Sequence, residues 1–562
     1  MERWRARARL LVPRRLGMPV GLSDQKVSLT LAELRTVDPT IAEDIYSGWV
    51  VLADKSVETG GRSPFHIHPP SIDWARELHG FSWLRHMRGA DSSIAQANAR
   101  SLISDWMTGK GPDLNVRWSP QITARRLLSW LSQANFLLDG ADPNFTRNFI
   151  KFIHLHQRRL DSWYTHAPDG EARMLIAVAC CAVALCVENL RFTLKNATAQ
   201  LDAELKRQIL KDGGHVSRSP EILISLLLDL LPLRQAYGSL NAPMPQHLAS
   251  AIDRMLPMLR FFRHRDGRMA GFNGMSQTPI DLVAAVLAFD EARIAPEENA
   301  EWSGYQRVER DELIVLMDTG PSPPLTVSGS AHAGYLSFEM SHGSQRIIVN
   351  CGHPKHADSE TLQAARATAA HSTITLADTS AAKFTPEAHP EVYTGLPIVE
   401  APETVRVARK RSGDTTMIAA HHDGYQRQFG VVHKRTISVP EHGGLLSGQD
   451  HLHLTRRIKS PGVEFASRFH LHPRVSATLM QDGATVLLTL PNGEAFEFVI
   501  NSPWSPQLEE SIFFSGSFGP RPTTQIVLYG QLTQDEKIDW AIQPIQVETA
   551  IRMAQEAAPR DQ

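Results

Sequence analysis

The chain has 562 residues, 42% of them hydrophobic and 21% charged, and a formal net charge of −2. That length exceeds what one hydrophobic core serves, so two or more large domains are expected, and the near-zero charge excludes a general nucleic-acid binder, which needs a strong basic excess. Four cysteines, none in a CxxC spacing, exclude a disulfide framework and a zinc-finger set.

The first segment, MERWRARARLLVPRRLGMPVGL, is basic, and Pro13, Arg14 and Arg15 break its apolar stretches. It lacks the uninterrupted apolar core and small-residue cleavage site of a secretory signal, so a cytoplasmic location is expected, with the periplasm as the alternative. From about Leu31 to Ala295 apolar residues recur at three- and four-residue steps, as in SSIAQANARSLISDWM (92–107) and ITARRLLSWLSQANFLL (122–138). EARMLIAVACCAVALCVENL (171–190), PEILISLLLDLLPLRQAY (220–237) and QHLASAIDRMLPMLRFF (246–262) continue the pattern. The longest apolar run, Met174 to Val187, is about 14 residues, short of the roughly 20 that span a bilayer, and is expected to be a buried helix. Successive helices with short connections pair antiparallel.

From about Ser303 the period changes to two. ELIVLMDTG, YLSFEMSHG, QRIIVNCG, GVVHKRTISV, ATVLLTLPNGEAFEFVI and TTQIVLYG are short alternating or apolar runs separated by turn residues. They predict an antiparallel β-sandwich. The domain boundary is therefore placed at 302/303, with residues 1–302 helical and 303–562 β. His332 and Asn350 fall near the same end of a predicted hairpin.

Four sequence words carry a resemblance: DGGHVSRSP (212–220), AHAGYLSFEM (331–340), RIIVNCG (346–352) and RATAAHSTITLAD (366–378). With a helical half followed by a β half, they resemble the heparinase II/III-like family of polysaccharide lyases. The resemblance implies an incomplete α/α toroid packed on an antiparallel β-sandwich, with an acidic polysaccharide or oligosaccharide in the cleft between them. It implies β-elimination, in which a uronate carboxylate is neutralised, a Tyr or His takes the proton beside it, and a Tyr or His returns one to the leaving oxygen. No redox or nucleotide cofactor is required. Zinc or another divalent cation in the sandwich is the one cofactor the resemblance allows, and a homodimer stays open.

The chain departs from the family pattern at telling places. Where relatives carry Ser-Pro-x-Tyr-His, this chain has Ser219-Pro220-Glu221-Ile222-Leu223, and two apolar residues cannot shuttle a proton. Aligned on the family's HxHxDxLSFEL, His332 is the second His, Ser330 replaces the first and Gly334 the Asp. The relatives' metal set of His, Asp and His becomes His332, Asn350 and His371. The catalytic candidates are then His215, His332, Arg173 near the head of the 171–190 helix, and Tyr425 in HHDGYQRQFG; Tyr335 is a further candidate. Arg218, Asn273 and Arg366 are candidate substrate-binding residues. Trp83, Trp118 and Trp130 could stack on sugar, although helix-core packing is the simpler role. The pairs His451/His453 and His470/His472 each share a strand face and are taken as structural. Two alternatives remain. One is glycoside hydrolysis on the same fold, in bacterial envelope-glycan metabolism, by a carboxylate pair drawn from residues such as Asp212, Glu171 and Glu339. The other is glycan binding without catalysis.

Overall fold

A computed structural model of the chain describes residues 26–546 and 549, except 110, 113–114, 387–394, 443–445 and 459–460. The basic segment 1–22 lies outside the described residues. The amino-terminal half is a succession of helices around a single apolar core, and the carboxy-terminal half is two antiparallel sheets around a second one.

Proline punctuates the helical half. Pro120, Pro143 and Pro220 each begin a helix, where the missing N–H would have had no partner in any case. At the centre lies the helix Glu171–Cys186, apolar on every side, which packs on Pro120–Ser132, Pro143–Trp163, Leu194–Gln208 and Pro220–Ser239. Its small alanines and cysteines let four neighbours approach, so the 14-residue apolar run is a buried helix as anticipated. All four cysteines are free and buried. Among the described residues no helix is long and apolar enough to cross a membrane. The hairpin Trp49–Leu52/Lys55–Glu58 interrupts the otherwise helical reading of this half. Trp83 and Trp130 pack in the toroid core, and Trp118 lies under the Arg159 guanidinium at 3.8 Å.

The last helix of this half ends at Leu287 and the first strand of the sheet is Asn299–Ala300, a few residues before the position 302/303 read from the change of period. One sheet runs Val405–Ser412, Thr415–His422, Val431–Pro440, Leu446–Leu454, Glu536–Ile545, Ala495–Asn501, Thr485–Thr489, Ser476–Leu479. The other runs Pro506–Phe513, Arg521–Leu532, Val463–Leu471, Gln345–Val349, Phe338–His342, Leu313–Asp318, Tyr305–Arg310, Asn299–Ala300, with Ile374–Leu376 also paired to Val463–Leu471. The strand Val431–Pro440 alternates buried and half-buried residues along its whole length, the mark of a strand with one face on the core. The expected incomplete toroid on an antiparallel sandwich is the observed architecture.

The halves are joined by polar contacts that explain the word DGGH. Asp212 accepts hydrogen bonds from the Ser303 backbone N–H (2.6 Å) and hydroxyl (2.8 Å). Gly213 has φ +87° and sits so close to the Arg254 carbonyl that a Cβ there would lie 2.1 Å from its oxygen. Only glycine fits that turn. His215, two residues on, is thereby delivered to the boundary between the halves.

Candidate active site

A cleft of about 550 Å³ lies at that boundary. Its toroid wall is the loop bearing His215, Ser217 and Ser219 with the first turns of Glu171–Cys186 and Pro220–Ser239. Its sandwich wall comprises Gly329, Ser330, His353, Lys355, His356 and Arg366.

Three histidines form a chain running inward from the cleft. His371 Nδ1 lies 2.8 Å from the Ala367 carbonyl and must carry a proton to bond it. Its Nε2 is then an acceptor, 2.9 Å from His332 Nδ1, which donates. His332 Nε2 accepts from the Gly274 N–H at 3.2 Å and from His353 Nδ1 at 3.2 Å. Each tautomer fixes the next, and the last free lone pair is His353 Nε2, in a side chain that lines the cleft. Gly334 makes room for this packing, since a Cβ there would lie 2.5 Å from the His371 ring. Burial holds all three imidazoles neutral. His371 is lowered to about 4, and His332 well below the usual range. His353 is lowered to about 4 by burial, with help from Arg366 and Lys355.

Arg366 ends the helix Ser359–Arg366 inside the sandwich half. It is buried, donates from Nε to the Ala331 carbonyl (2.8 Å) and from Nη2 to the Ser328 carbonyl (3.2 Å), and covers the Phe384 ring at 4.3 Å. No carboxylate is within ion-pair reach among the described residues, and burial pushes its pKa down to about 10. A buried guanidinium without an anion is costly, and the cleft is where an anion can reach it.

The carboxyls of the cleft sort in the opposite way. Glu77 faces His356 (3.6 Å), Glu221 faces Lys355 (3.6 Å) and accepts from Ser276, and Asp169 is paired with Arg207. Glu171 has no cation at such range among the described residues. It accepts from the Ser225 hydroxyl at 3.0 Å, and burial raises its pKa against the pull of that hydroxyl and of Arg125, with Asp229 and Glu221 adding to the rise. This happens although Glu171 stands in the first turn of a helix, where the macrodipole favours the anion.

The other predicted residues are placed as follows. His215 lines the cleft, but both ring nitrogens are engaged, Nε2 with Gln208 Oε1 (2.8 Å) and Nδ1 with Ser217, and burial lowers it to about 3. His332 is one residue behind the cleft surface, with His353 in front of it. Arg173 turns away to donate to the Ala167 carbonyl at 2.9 Å and is not in the cleft wall. Tyr425 is not brought to the cleft: it is buried in the sandwich core, where its hydroxyl donates to the Ile374 carbonyl. Tyr335 is likewise buried, bonded to Ser322.

Arg218 and Asn273 are corrections to the substrate-binding set. Arg218 is buried with its guanidinium on the Ser303, Gly304 and Pro321 carbonyls and the Asp318 carboxylate, so it staples toroid to sandwich. Asn273 donates to Tyr305 and Asp318 and accepts the His332 backbone N–H at 3.0 Å, so it holds His332 rather than sugar.

The inferred metal set does not fit a cation. His332 and His371 meet each other, but Asn350 Oδ1 accepts the Ser372 N–H (3.1 Å) and its amide faces Glu339. Two neutral imidazoles without an anionic third donor do not make a zinc set.

The sequence reading overlooked His353, the outermost member of the chain, and passed over Glu171 as one carboxylate among many. His353 lies directly after Asn350-Cys351-Gly352, and that adjacency was the available signal.

Comparison with known proteins places this geometry in context. The sequence model of the heparinase II/III-like C-terminal family matches residues 294–541. Over 552 residues the chain is 30% identical to an FtsZ-localized protein C of Caulobacter vibrioides, covering 95% of this chain and 92% of that protein. Among solved structures, a heparinase III superposes with a TM-score of 0.71 at 12% identity, covering 97% of this chain and 90% of the other. The heparan sulfate lyase HepC of Pedobacter heparinus superposes with a TM-score of 0.61 at 14% identity, covering 97% and 87%.

Proposed function

The chain belongs to the heparinase II/III-like family, and from that premise we propose that it cleaves a uronate-containing polysaccharide or oligosaccharide by β-elimination. The observation that carries the proposal is Arg366, a buried guanidinium at the cleft wall with no carboxylate partner among the described residues, beside a neutral histidine with a free nitrogen. A uronate carboxylate supplies the missing anion, with Lys355 as a second cation at the rim.

The reaction follows from the protonation states. Arg366 takes the carboxylate and withdraws charge, which acidifies the adjacent C5–H. His353 Nε2 takes that proton while its Nδ1–H stays donated to His332. In the free protein burial, with Arg366 and Lys355 adding to it, disfavours a charged His353, so it is a weak base. A bound carboxylate offsets the part due to the two cations and raises its basicity, which couples base strength to the correct substrate. The C5 electron pair forms the C4=C5 double bond as the C4–O bond breaks. Glu171 gives its proton to the departing oxygen, the task that Ile222 cannot perform. The chain from His332 to His371 ends on a carbonyl, so it fixes tautomer and orientation and does not relay the proton onward.

Incubation with uronate-containing glycans, followed by ultraviolet absorbance of the unsaturated product, tests the proposal. A second reading, hydrolysis, is favoured by one observation: Glu171 and Glu221 share the cleft and interact electrostatically. It predicts new reducing ends without ultraviolet absorbance. The FtsZ-localized relative adds a separate property to the proposal, association with FtsZ, which a pull-down with purified FtsZ tests independently of the cleft.

A further inference from the structure

The metal set implied by resemblance fails at His332, Asn350 and His371, yet the described residues hold one cluster with the right donors. His451, His453 and Asp535 present ligand atoms that all lie within 4.8 Å of one another. They stand on the sandwich, away from the cleft. We propose that these three residues bind a divalent transition-metal ion of the zinc class, which ties the crossover between the two sheets to the strand Leu446–Leu454.

The placement follows from strand geometry. His451 and His453 are two apart on one strand, so both rings leave the same face, with centroids 5.6 Å apart. Asp535 lies in the short connection between Arg521–Leu532 of one sheet and Glu536–Ile545 of the other. One of its oxygens, Oδ2, is 3.4 Å from His451 Nε2 and 2.8 Å from His453 Nδ1. Donors at about 2.0 to 2.1 Å from a tetrahedral zinc are about 3.3 Å apart, so an ion needs only small side-chain rotations to enter. The other oxygen, Oδ1, accepts the Leu454 N–H at 2.8 Å, which aims the carboxylate at the histidines.

The neighbouring charges bear on metal binding. His451 is opposite Lys434 on one neighbouring strand and opposite Lys537 on the other. The charge of those lysines opposes a cation, which limits affinity. Two imidazoles and one carboxylate form a donor set that zinc accepts, with solvent completing the coordination. Neither the cleft nor its chemistry enters this proposal.

The test uses untagged full-length protein titrated with zinc chloride in a calorimeter, alongside His453→Ala, Asp535→Asn and His332→Ala. The expected result is one equivalent bound by the wild type and by His332→Ala, with affinity reduced roughly tenfold or more in the other two. Cobalt(II) in place of zinc should give the visible absorption of a tetrahedral site, lost in His453→Ala. Circular dichroism of each variant identifies any that fails to fold, and Asp535→Asn, at a surface carboxylate, is the gentler of the two. No zinc binding by the wild type, binding undiminished in both site variants, or binding lost in His332→Ala would each overturn the proposal.

Discussion

His353 Nδ1 lies 3.2 Å from His332 Nε2, and this contact decides which nitrogen of His353 meets the cleft. Because His332 Nε2 is an acceptor, His353 must keep its proton on Nδ1 and present a bare Nε2. His353→Ala is therefore expected to lower kcat by about 10²-fold or more, the usual share of a general base. His332→Ala should lower kcat less, with KM near wild type, because it frees the tautomer and orientation of His353 without removing the base. Steady-state kinetics on one glycan substrate checks both.

Arg366 is expected to matter more in the transition state than in the ground state, because charge builds on the carboxylate as the C5 proton leaves. Arg366→Ala should reduce kcat/KM by about 10²- to 10³-fold. Arg366→Lys should recover little, since an ammonium cannot hold both the Ala331 and Ser328 carbonyls and still face the substrate.

In the proposed reaction Glu171 supplies a proton only where the leaving oxygen needs one. Glu171→Gln should abolish turnover of ordinary glycosidic substrates yet spare a uronate bearing a 4-fluoro or nitrophenoxy leaving group. It should also remove the alkaline limb of the wild-type kcat profile. Equal loss on both substrate classes would mean that Glu171 acts otherwise.

The buried histidines also set a pH window for stability. His215 is held to about 3, and His353 and His371 to about 4, all mainly by burial, against about 6.5 in an unfolded chain. With folded values below unfolded ones, the unfolded chain binds more protons throughout that interval. Their stabilising contribution is complete above about pH 6.5 and is lost as pH falls towards about 4. Denaturant titrations across that range should show stability declining with acidification, less steeply in His371→Asn.

Arg218 and Asp318 form a buried ion pair between the halves, and breaking it leaves one charge uncompensated. Arg218→Ala is expected to cost about 3 to 5 kcal/mol. Thermal unfolding should show it as a lower midpoint, or as separate transitions of toroid and sandwich.

The sequence disclosed the architecture because the change of period from helical to alternating is a one-dimensional signal. It disclosed the buried helix at Glu171–Cys186 for the same reason. The site was less legible. His215 and Arg366 do line the cleft, but Arg218 and Asn273, in loops of the same glycine-rich character, are consumed by interdomain and backbone bonds. Nothing in spacing separates a guanidinium that lines the cleft from one held by backbone carbonyls and a carboxylate. Tyr425 follows a His-Asp-Gly word that suits a catalytic loop, yet its hydroxyl faces the Ile374 carbonyl in the core. His353 was hidden because its role depends on His332, 21 residues away, which it meets only in the folded chain, and through it on His371, 18 residues away.

The most direct test of the central claim follows ultraviolet absorbance while the wild type and His353→Ala are incubated with a panel of uronate-containing glycans. The account predicts an absorbance rise on at least one glycan with the wild type, lost with His353→Ala. Reducing ends released without absorbance, or a rise that survives His353→Ala, would contradict it.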